Sequence, residues 1–310
     1  MTTTQQLHVV LGGNGVIGRE TVRALLRRGE KIASVGRRPS TIDGVSSITA
    51  NLLTAADVAH ALTGAQVAYL TAGLAYSSTI WAQQWPIILR NSIDAAIANN
   101  THLIYFDNVY AYGLVDGPMT ELSALRPVSK KGRIRADALT ALHTAKEERG
   151  LSFTVARSAD FYGPEATTSA FNTFALAKIA AGKPASWLFD ADQPHSLTYT
   201  PDIGESLAIL GTHPADSGST WHVPTAPALT GREYLHLAGA PDSRINVTSA
   251  TTLRIGALFN TAARETLEMS YQYTAPYLFD STAFETVFGI SPTPITAGIT
   301  TSFAAERASS

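Results

Sequence analysis

The chain contains no cysteine, which excludes disulfides, thiolate nucleophiles and cysteine-ligated zinc together. It has little charge: 15 % of its 310 residues are charged and the formal net charge is −2. Neither a nucleic-acid surface nor a polybasic membrane patch fits that balance. No apolar run approaches the length of a membrane span, and the opening MTTTQQ is polar, so a soluble cytoplasmic protein is expected. A Gly-x-Ser-x-Gly elbow is missing, which argues against an esterase on an α/β sheet. His195, His213, His222 and His236 lack ligand spacing, and Asp190 and Asp192 read as a turn, so no metal is expected. One absence is local: no tyrosine stands between Tyr112 and Tyr162.

What is present begins with Leu7–Arg19, LHVVLGGNGVIGR. Val9, Val10 and Leu11 read as a buried strand, and Val16–Gly29 as a helix. Between them Gly12, Gly15 and Gly18 form G-x-x-G-x-x-G, with Gly13 in addition. Such a turn needs one glycine at positive φ, a second where a pyrophosphate approaches the backbone, and a third where helix packs on sheet. The following amides and the helix dipole favour negative charge. A dinucleotide cradle made of Gly12, Gly13, Asn14, Gly15, Val16, Ile17 and Gly18 is therefore expected, because the motif lies between a strand and a helix.

A second strand, Lys31–Val35, ends in Gly36-Arg37-Arg38-Pro39. About twenty residues past the glycines, an acid would hold the ribose hydroxyls of NAD. Arg37 and Arg38 stand there instead, and paired guanidiniums suit a 2′-phosphate, which favours NADP, with NAD as the alternative. Asn51 and Leu52 follow a third strand, Val45–Ala50, where an amide could read an adenine edge. Thr54–Leu62 reads as a helix with Thr54 or Asp57 as its cap. Gln66–Thr71 reads as a fourth strand whose exit, Thr71, Ala72 and Gly73, lets a cofactor approach the backbone. Ser78–Asn100 is a helical stretch interrupted by Pro86. The fifth strand, His102–Phe106, runs into Asp107–Gly113, DNVYAYG, and its polar side chains mark a site candidate at a strand's carboxyl end. A helix ends at Arg149-Gly150, and Leu151–Ala156 reads as a sixth strand. Beyond about residue 165 the alternation is less regular, with Thr252–Met269 read as one helix carrying Leu253, Leu258 and Leu267 on its apolar face.

Together, GGNGVIG, DNVYAYG, RSADFYGP (157–164), TYTPDIGESL and FDSTAFETVFGISPTP resemble the extended short-chain dehydrogenase/reductase superfamily, in its NAD(P)-dependent epimerase/dehydratase group. The resemblance spans nearly the whole chain. It implies an α/β fold, a Rossmann-type doubly wound parallel sheet (1–164) with a smaller C-terminal α+β substrate lobe (165–310) interleaved with it. In that superfamily a Ser or Thr follows the fifth strand, and a later Tyr-x-x-x-Lys supplies the acid/base and holds the nicotinamide ribose. Here Asn108 occupies the serine position, and the best register puts Lys131 in place of the tyrosine and Arg135 in place of the lysine. Lys131 could move a proton if burial, Arg135 and a cationic nicotinamide depress its pKa. Alternatively, Lys131 and Arg135 form a positive edge for phosphate or ribose. Tyr76, Tyr110 and Tyr162 are substitutes for which packing is the commoner role.

The resemblance thus implies an NADP(H)-dependent oxidoreductase or epimerase acting on a carbonyl or hydroxyl of a small molecule. The rival is a non-catalytic NADP-binding sensor or scaffold. The expected partners are a small-molecule substrate and, for an assembly, a second copy of the chain.

Overall fold

The computed structural model describes residues 6–213 and 217–309. Six strands come from the first half of the chain: β1 (Leu7–Leu11), β2 (Lys31–Gly36), β3 (Ser46–Thr49), β4 (Val67–Leu70), β5 (His102–Asn108) and β6 (Phe153–Ser158). A seventh, Ser219–His222, completes a sheet of order Ser219–His222, β6, β5, β4, β1, β2, β3. Every pairing is parallel. The inner strands carry near-continuous apolar runs because both faces are covered. In β1, Val9 and Leu11 enter one core and Val10 the other.

The first core lies under α2 (Ala55–Ala61), α3 (Ser78–Asn99) and α4 (Lys130–Arg149), through Val58, Trp85, Leu89 and Leu142. The second lies under α1 (Val16–Arg27) and the helix Thr200–Thr212, through Ile17, Val22, Leu25, Ile203 and Leu207. Order reverses beside β1: the chain builds β2 and β3 on one side, then crosses to β4 on the other. Ligands of open α/β sheets bind in the crevice at such a switch point.

The smaller lobe is built from paired short strands: Asp160–Tyr162 with Leu197–Tyr199, Ala185–Leu188 with Ile245–Thr248, and Pro194–His195 with Leu229–Thr230. Its core contains Phe171, Trp187 and Tyr234. The helix Thr200–Thr212 and the strand Ser219–His222 lie between these segments in sequence yet belong to the main sheet. Among the described residues, no helix is long and apolar enough to cross a membrane.

Three local expectations are corrected. Pro86 does not interrupt α3, which runs unbroken from Ser78 to Asn99. Pro86 and Ala82 are both exposed, so water can satisfy the carbonyl left without an amide partner. Thr54 holds the N-cap position of α2 without a side-chain bond, and Asp57 accepts instead from the Asn51 amide (2.8 Å). Residues 252–269 are not one helix but two, Ala250–Ala257 and Thr261–Glu268. Asn260 is extended and its side chain caps the second by accepting from the Ala262 amide (2.8 Å). Leu258 at that break is 74 % exposed and Phe259 89 %, so an apolar residue at helical spacing does not face a core there.

Candidate cofactor and active site

The turn after β1 is held from below. The amides of Gly12 and Gly13 donate to the Val35 carbonyl (2.9 and 3.0 Å), and Gly15 donates to the Gly12 carbonyl (2.8 Å). Gly12 has φ +95°, and a Cβ there would lie 2.6 Å from the Ala72 backbone. The exits of β1 and β4 therefore touch backbone to backbone, and only glycine permits it. At Gly18 a Cβ would lie 2.2 Å from the Gly12 carbonyl, so this glycine seats α1 on the turn. Gly15 is different: its Cβ would meet only the Gly12 carbonyl, at 3.2 Å, and a more distant one of Thr71. Gly15 caps α1 without a side chain, and no acid stands in the first turn. Among the described residues the amides of Val16, Ile17 and Gly18 find no acceptor. Three free N–H groups at the positive end of a helix form an anion cradle.

Thr71 is buried and its hydroxyl donates to the Leu11 carbonyl (3.1 Å), while a Cβ added at Gly73 would meet nothing within 4 Å. Asn14 donates to the carbonyls of Arg38 (2.7 Å) and Pro39 (3.2 Å). It thus braces the exit of β2 against the glycine turn. Arg37 and Arg38 are exposed and make no ion pair among the described residues. Asn51 spends its carbonyl oxygen on the Leu53 amide (3.2 Å), and the Leu52 carbonyl accepts from Asn91 (2.9 Å).

At the exit of β5, Asn108 accepts from the Tyr110 amide (3.1 Å) and caps the turn Val109–Ala111. Its side-chain NH2 has no acceptor among the described residues. Ser129 caps α4 by accepting from Gly132 (2.9 Å), which places Lys131 in the first turn and Arg135 one turn later. A cation at a helix N-terminus opposes the dipole, and Lys131 is wholly buried. The helix Thr261–Glu268 compensates it: Nζ donates to Glu265 and to Glu268 (2.9 Å) and lies 4.5 Å from the Tyr76 ring centre. Glu265 also accepts from the amide and the hydroxyl of Ser78, both at 2.9 Å. One carboxylate thus sits at the N-termini of both α3 and α4. Burial opposes its charge, but hydrogen bonds from Lys131 and Ser78 prevail and hold its carboxyl below the usual range.

Arg135 lies between rings, its guanidinium carbon 4.2 Å from Trp85 and 4.9 Å from Trp81, and it donates to the Tyr105 hydroxyl (2.7 Å). Asp107 receives two hydrogen bonds from Arg157 (2.9 and 3.1 Å) and lies 3.7 Å from Arg135. This is a buried charge network linking β5 to β6 and α4. Of the substitutes, Tyr76 and Tyr110 meet hydroxyl to hydroxyl at 3.5 Å. Tyr162 is buried against Phe171 and Tyr199.

Residues 8–223 match the NAD dependent epimerase/dehydratase family. The chain belongs to that family. No curated protein sequence matches it significantly. Among solved structures, it is similar to dTDP-glucose 4,6-dehydratase from Streptomyces venezuelae with NAD and TYD bound (17 % identity, 98 % of this chain, 97 % of that one, TM-score 0.80). It is also similar to Thermus thermophilus UDP-glucose 4-epimerase with NAD (17 %, 98 % and 100 %, TM-score 0.78). A third is the Bacillus cereus UDP-glucuronic acid 4-epimerase with UDP-glucuronic acid and NAD (14 %, 98 % and 100 %, TM-score 0.81). In this member of the epimerase/dehydratase family, a carboxylate inside RSADFYGP (157–164) also stands at the sheet edge, and it is not among the residues singled out from the sequence. Asp160 starts the strand that follows β6, and it contacts His195 (3.1 Å) and Tyr273 (3.2 Å). A carboxylate two residues past a strand's carboxyl end was the available signal.

Proposed function

We propose that the protein is an NAD(P)-dependent oxidoreductase of epimerase or dehydratase type, acting at a hydroxyl or carbonyl carbon of a small molecule and preferring NADP(H). The observation that carries this reading is the trio of free amides at Val16, Ile17 and Gly18, beside the backbone contact of Gly12 with Ala72. Bound in this crevice, the dinucleotide supplies or accepts a hydride. The residues of the chain do the rest. The glycine turn receives the pyrophosphate, while Thr71, Ala72 and Gly73 line its path. Asn51 and Leu52 flank the adenine side, and Arg37 and Arg38 take the 2′-phosphate. Asn108 offers its NH2 to a substrate oxygen. Lys131 and Arg135 hold positive charge at the base of α4, and the carboxylates on Lys131 favour an anchoring role over proton transfer. The solved relatives with nucleotide sugars bound support a sugar nucleotide as the substrate class.

Calorimetric titration with NADPH, NADP⁺, NADH and NAD⁺ tests the reading. Binding of none of them overturns it. Gly15→Val adds a side chain on the pyrophosphate's side of the turn, its Cβ 3.2 Å from the Gly12 carbonyl, so the turn needs to yield only by a few tenths of an ångström. It should lower NADPH affinity by a hundredfold or more, on the order of 2.7 kcal/mol, with far-UV circular dichroism unchanged. Normal affinity in that variant would show the turn to be structural only.

A second reading, a cofactor-binding sensor without turnover, draws on the occupied Lys131 ammonium and the tyrosine-free interval. Conversion of any carbonyl or sugar-nucleotide compound with oxidation of NADPH removes it.

A further inference from the structure

The reaction proposed above needs a group that takes a proton from a substrate hydroxyl as the carbonyl forms. The position that holds this group in the superfamily is filled by a lysine whose ammonium is already shared by two carboxylates. Another carboxylate lies at the same edge of the sheet. In the register of β5 with β6, Asn108 stands beside Ser158, and Asp160 follows two residues later as the first residue of the strand Asp160–Tyr162. It is placed beyond the carboxyl ends of β5 and β6, where this fold class binds its ligands.

The surroundings of Asp160 divide its two oxygens. Oδ2 meets His195 Nε2 at 3.1 Å and accepts from the Tyr273 hydroxyl at 3.2 Å. Oδ1 has no hydrogen-bond partner among the described residues, and it is not among the sealed, unpartnered atoms of the interior. The Asp160 side chain is 21 % exposed and that of His195 only 2 %. His195 lies between the rings of Tyr273 (4.6 Å) and Tyr277 (4.3 Å), stacked on both. The backbone is fixed as well, since the Asp160 amide donates to the Tyr277 hydroxyl (3.2 Å). Burial first, then the charge of Asp160, push the Tyr273 phenol well above its ordinary value, so that phenol remains a donor. The charge of Asp160 is also felt by Tyr76, Tyr110 and Tyr271. Tyr76 also covers Lys131, so one ring lies over the lysine and feels the charge of Asp160.

We propose that Asp160 is the proton acceptor of this site, with His195 and Tyr273 as the residues that position it. The proposal rests on the oxidoreductase reading above. The open member of the pair is the carboxylate and the enclosed one is the imidazole, so it is the carboxylate that can reach a substrate. In the oxidative direction the O–H bond of a substrate secondary alcohol breaks and its proton passes to Asp160 Oδ1. The adjacent C–H bond breaks with its electron pair going to the oxidised nicotinamide, and the C=O bond forms. The carbinol carbon is oxidised and the nicotinamide reduced. In the reverse direction, Asp160 returns the proton to the nascent alkoxide. Two hydrogen bonds on Oδ2 fix the carboxylate's orientation, as acid/base geometry requires.

The test uses the full-length protein with NADP⁺ or NAD⁺ and a panel of UDP-glucose, UDP-glucuronic acid and dTDP-glucose. Reduced nicotinamide is read by absorbance and products by chromatography. Calorimetric cofactor affinity and the thermal unfolding midpoint are measured alongside. Asp160→Asn should lower kcat by about 10²-fold or more, with affinity and midpoint unchanged. Asp160→Glu should recover part of the rate. Full turnover in Asp160→Asn overturns the proposal, as does a loss of rate matched by a fall in midpoint, which marks a structural role. Cofactor binding with no conversion of any panel member by the parent protein also counts against Asp160. Absence of cofactor binding instead brings down the oxidoreductase reading itself.

Discussion

At the scale of single residues, charge decides more than shape. Arg37 and Arg38 are exposed and free of ion pairs among the described residues, so no competing carboxylate must be displaced before a phosphate binds. A charge-assisted contact is worth roughly 1.5–3 kcal/mol. Arg37→Ala or Arg38→Ala should therefore weaken NADPH about tenfold or more and leave NADH nearly unchanged. Equal affinity of the parent protein for both cofactors would rule out this assignment. Lys131 is the opposite case, enclosed and fully committed. Lys131→Met removes the cation and leaves its carboxylates facing each other, so unfolding free energy should fall by about 3 kcal/mol. Turnover at saturating substrate should survive. A loss of about 10²-fold in turnover at unchanged stability would return the proton to Lys131. Lys131 is a candidate from the sequence alone, because its expected register depends only on spacing from Tyr112-Gly113. The two glutamates that hold it are not, since nothing local marks residues 134 and 137 positions downstream as its partners.

At the scale of elements, the helix Thr261–Glu268 acts as a negative key for two helix N-termini. Glu265→Gln preserves the shape and a hydrogen bond to Ser78 but removes the charge. It should cost about 2 kcal/mol and speed proteolysis within residues 250–268, read by mass spectrometry of the fragments. Unaltered cleavage would mean that packing alone fixes the helix. The depressed Glu265 carboxyl also sets a direction with pH: its contribution is complete above the ordinary value of 4.5 and fades as pH falls through its lower folded value. The break before this helix explains a failure of periodicity. Leu258 keeps helical spacing but Asn260 caps a new helix, and a polar cap inside an apolar pattern is easily read as a surface position. Pro86 misleads in the other direction, because its helix is long enough and the residue exposed enough to absorb one missing bond.

Over the whole molecule, the strands of the first half are legible to within a residue or two, since buried parallel strands leave uniform apolar runs. The lobe is less so, because its short strands pair residues far apart: 185 with 245, and 194 with 230. The pair of Asp160 with His195 spans 35 positions across such strands, and no spacing rule foretells it. His222 ties three parts together: its Nδ1 donates to the Asp280 carbonyl and its Nε2 accepts from the Tyr112 hydroxyl, both at 2.7 Å. Burial lowers its pKa to about 3, against the partial support of the Asp280 carbonyl. The unfolded chain binds a proton there below its ordinary 6.5 and the folded one does not, so stability should decline as pH falls from that value. The slope contributed is at most about 1.4 kcal/mol per pH unit. Denaturant midpoints for the parent and His222→Gln between pH 7 and 4 measure it, and identical slopes would deny His222 this part. The bridge from Glu265 to Ser78 and Lys131 spans 187 and 134 positions, which makes it an event of timing as well as of charge. During synthesis, the sheet from β1 to β6 and both helix N-termini exist before residues 261–268 leave the ribosome. Until then Lys131 has neither carboxylate, and a nascent chain in that state keeps it hydrated and the base of α4 unsealed. A helix made late thus closes over Ser78 and Lys131, both laid down long before it.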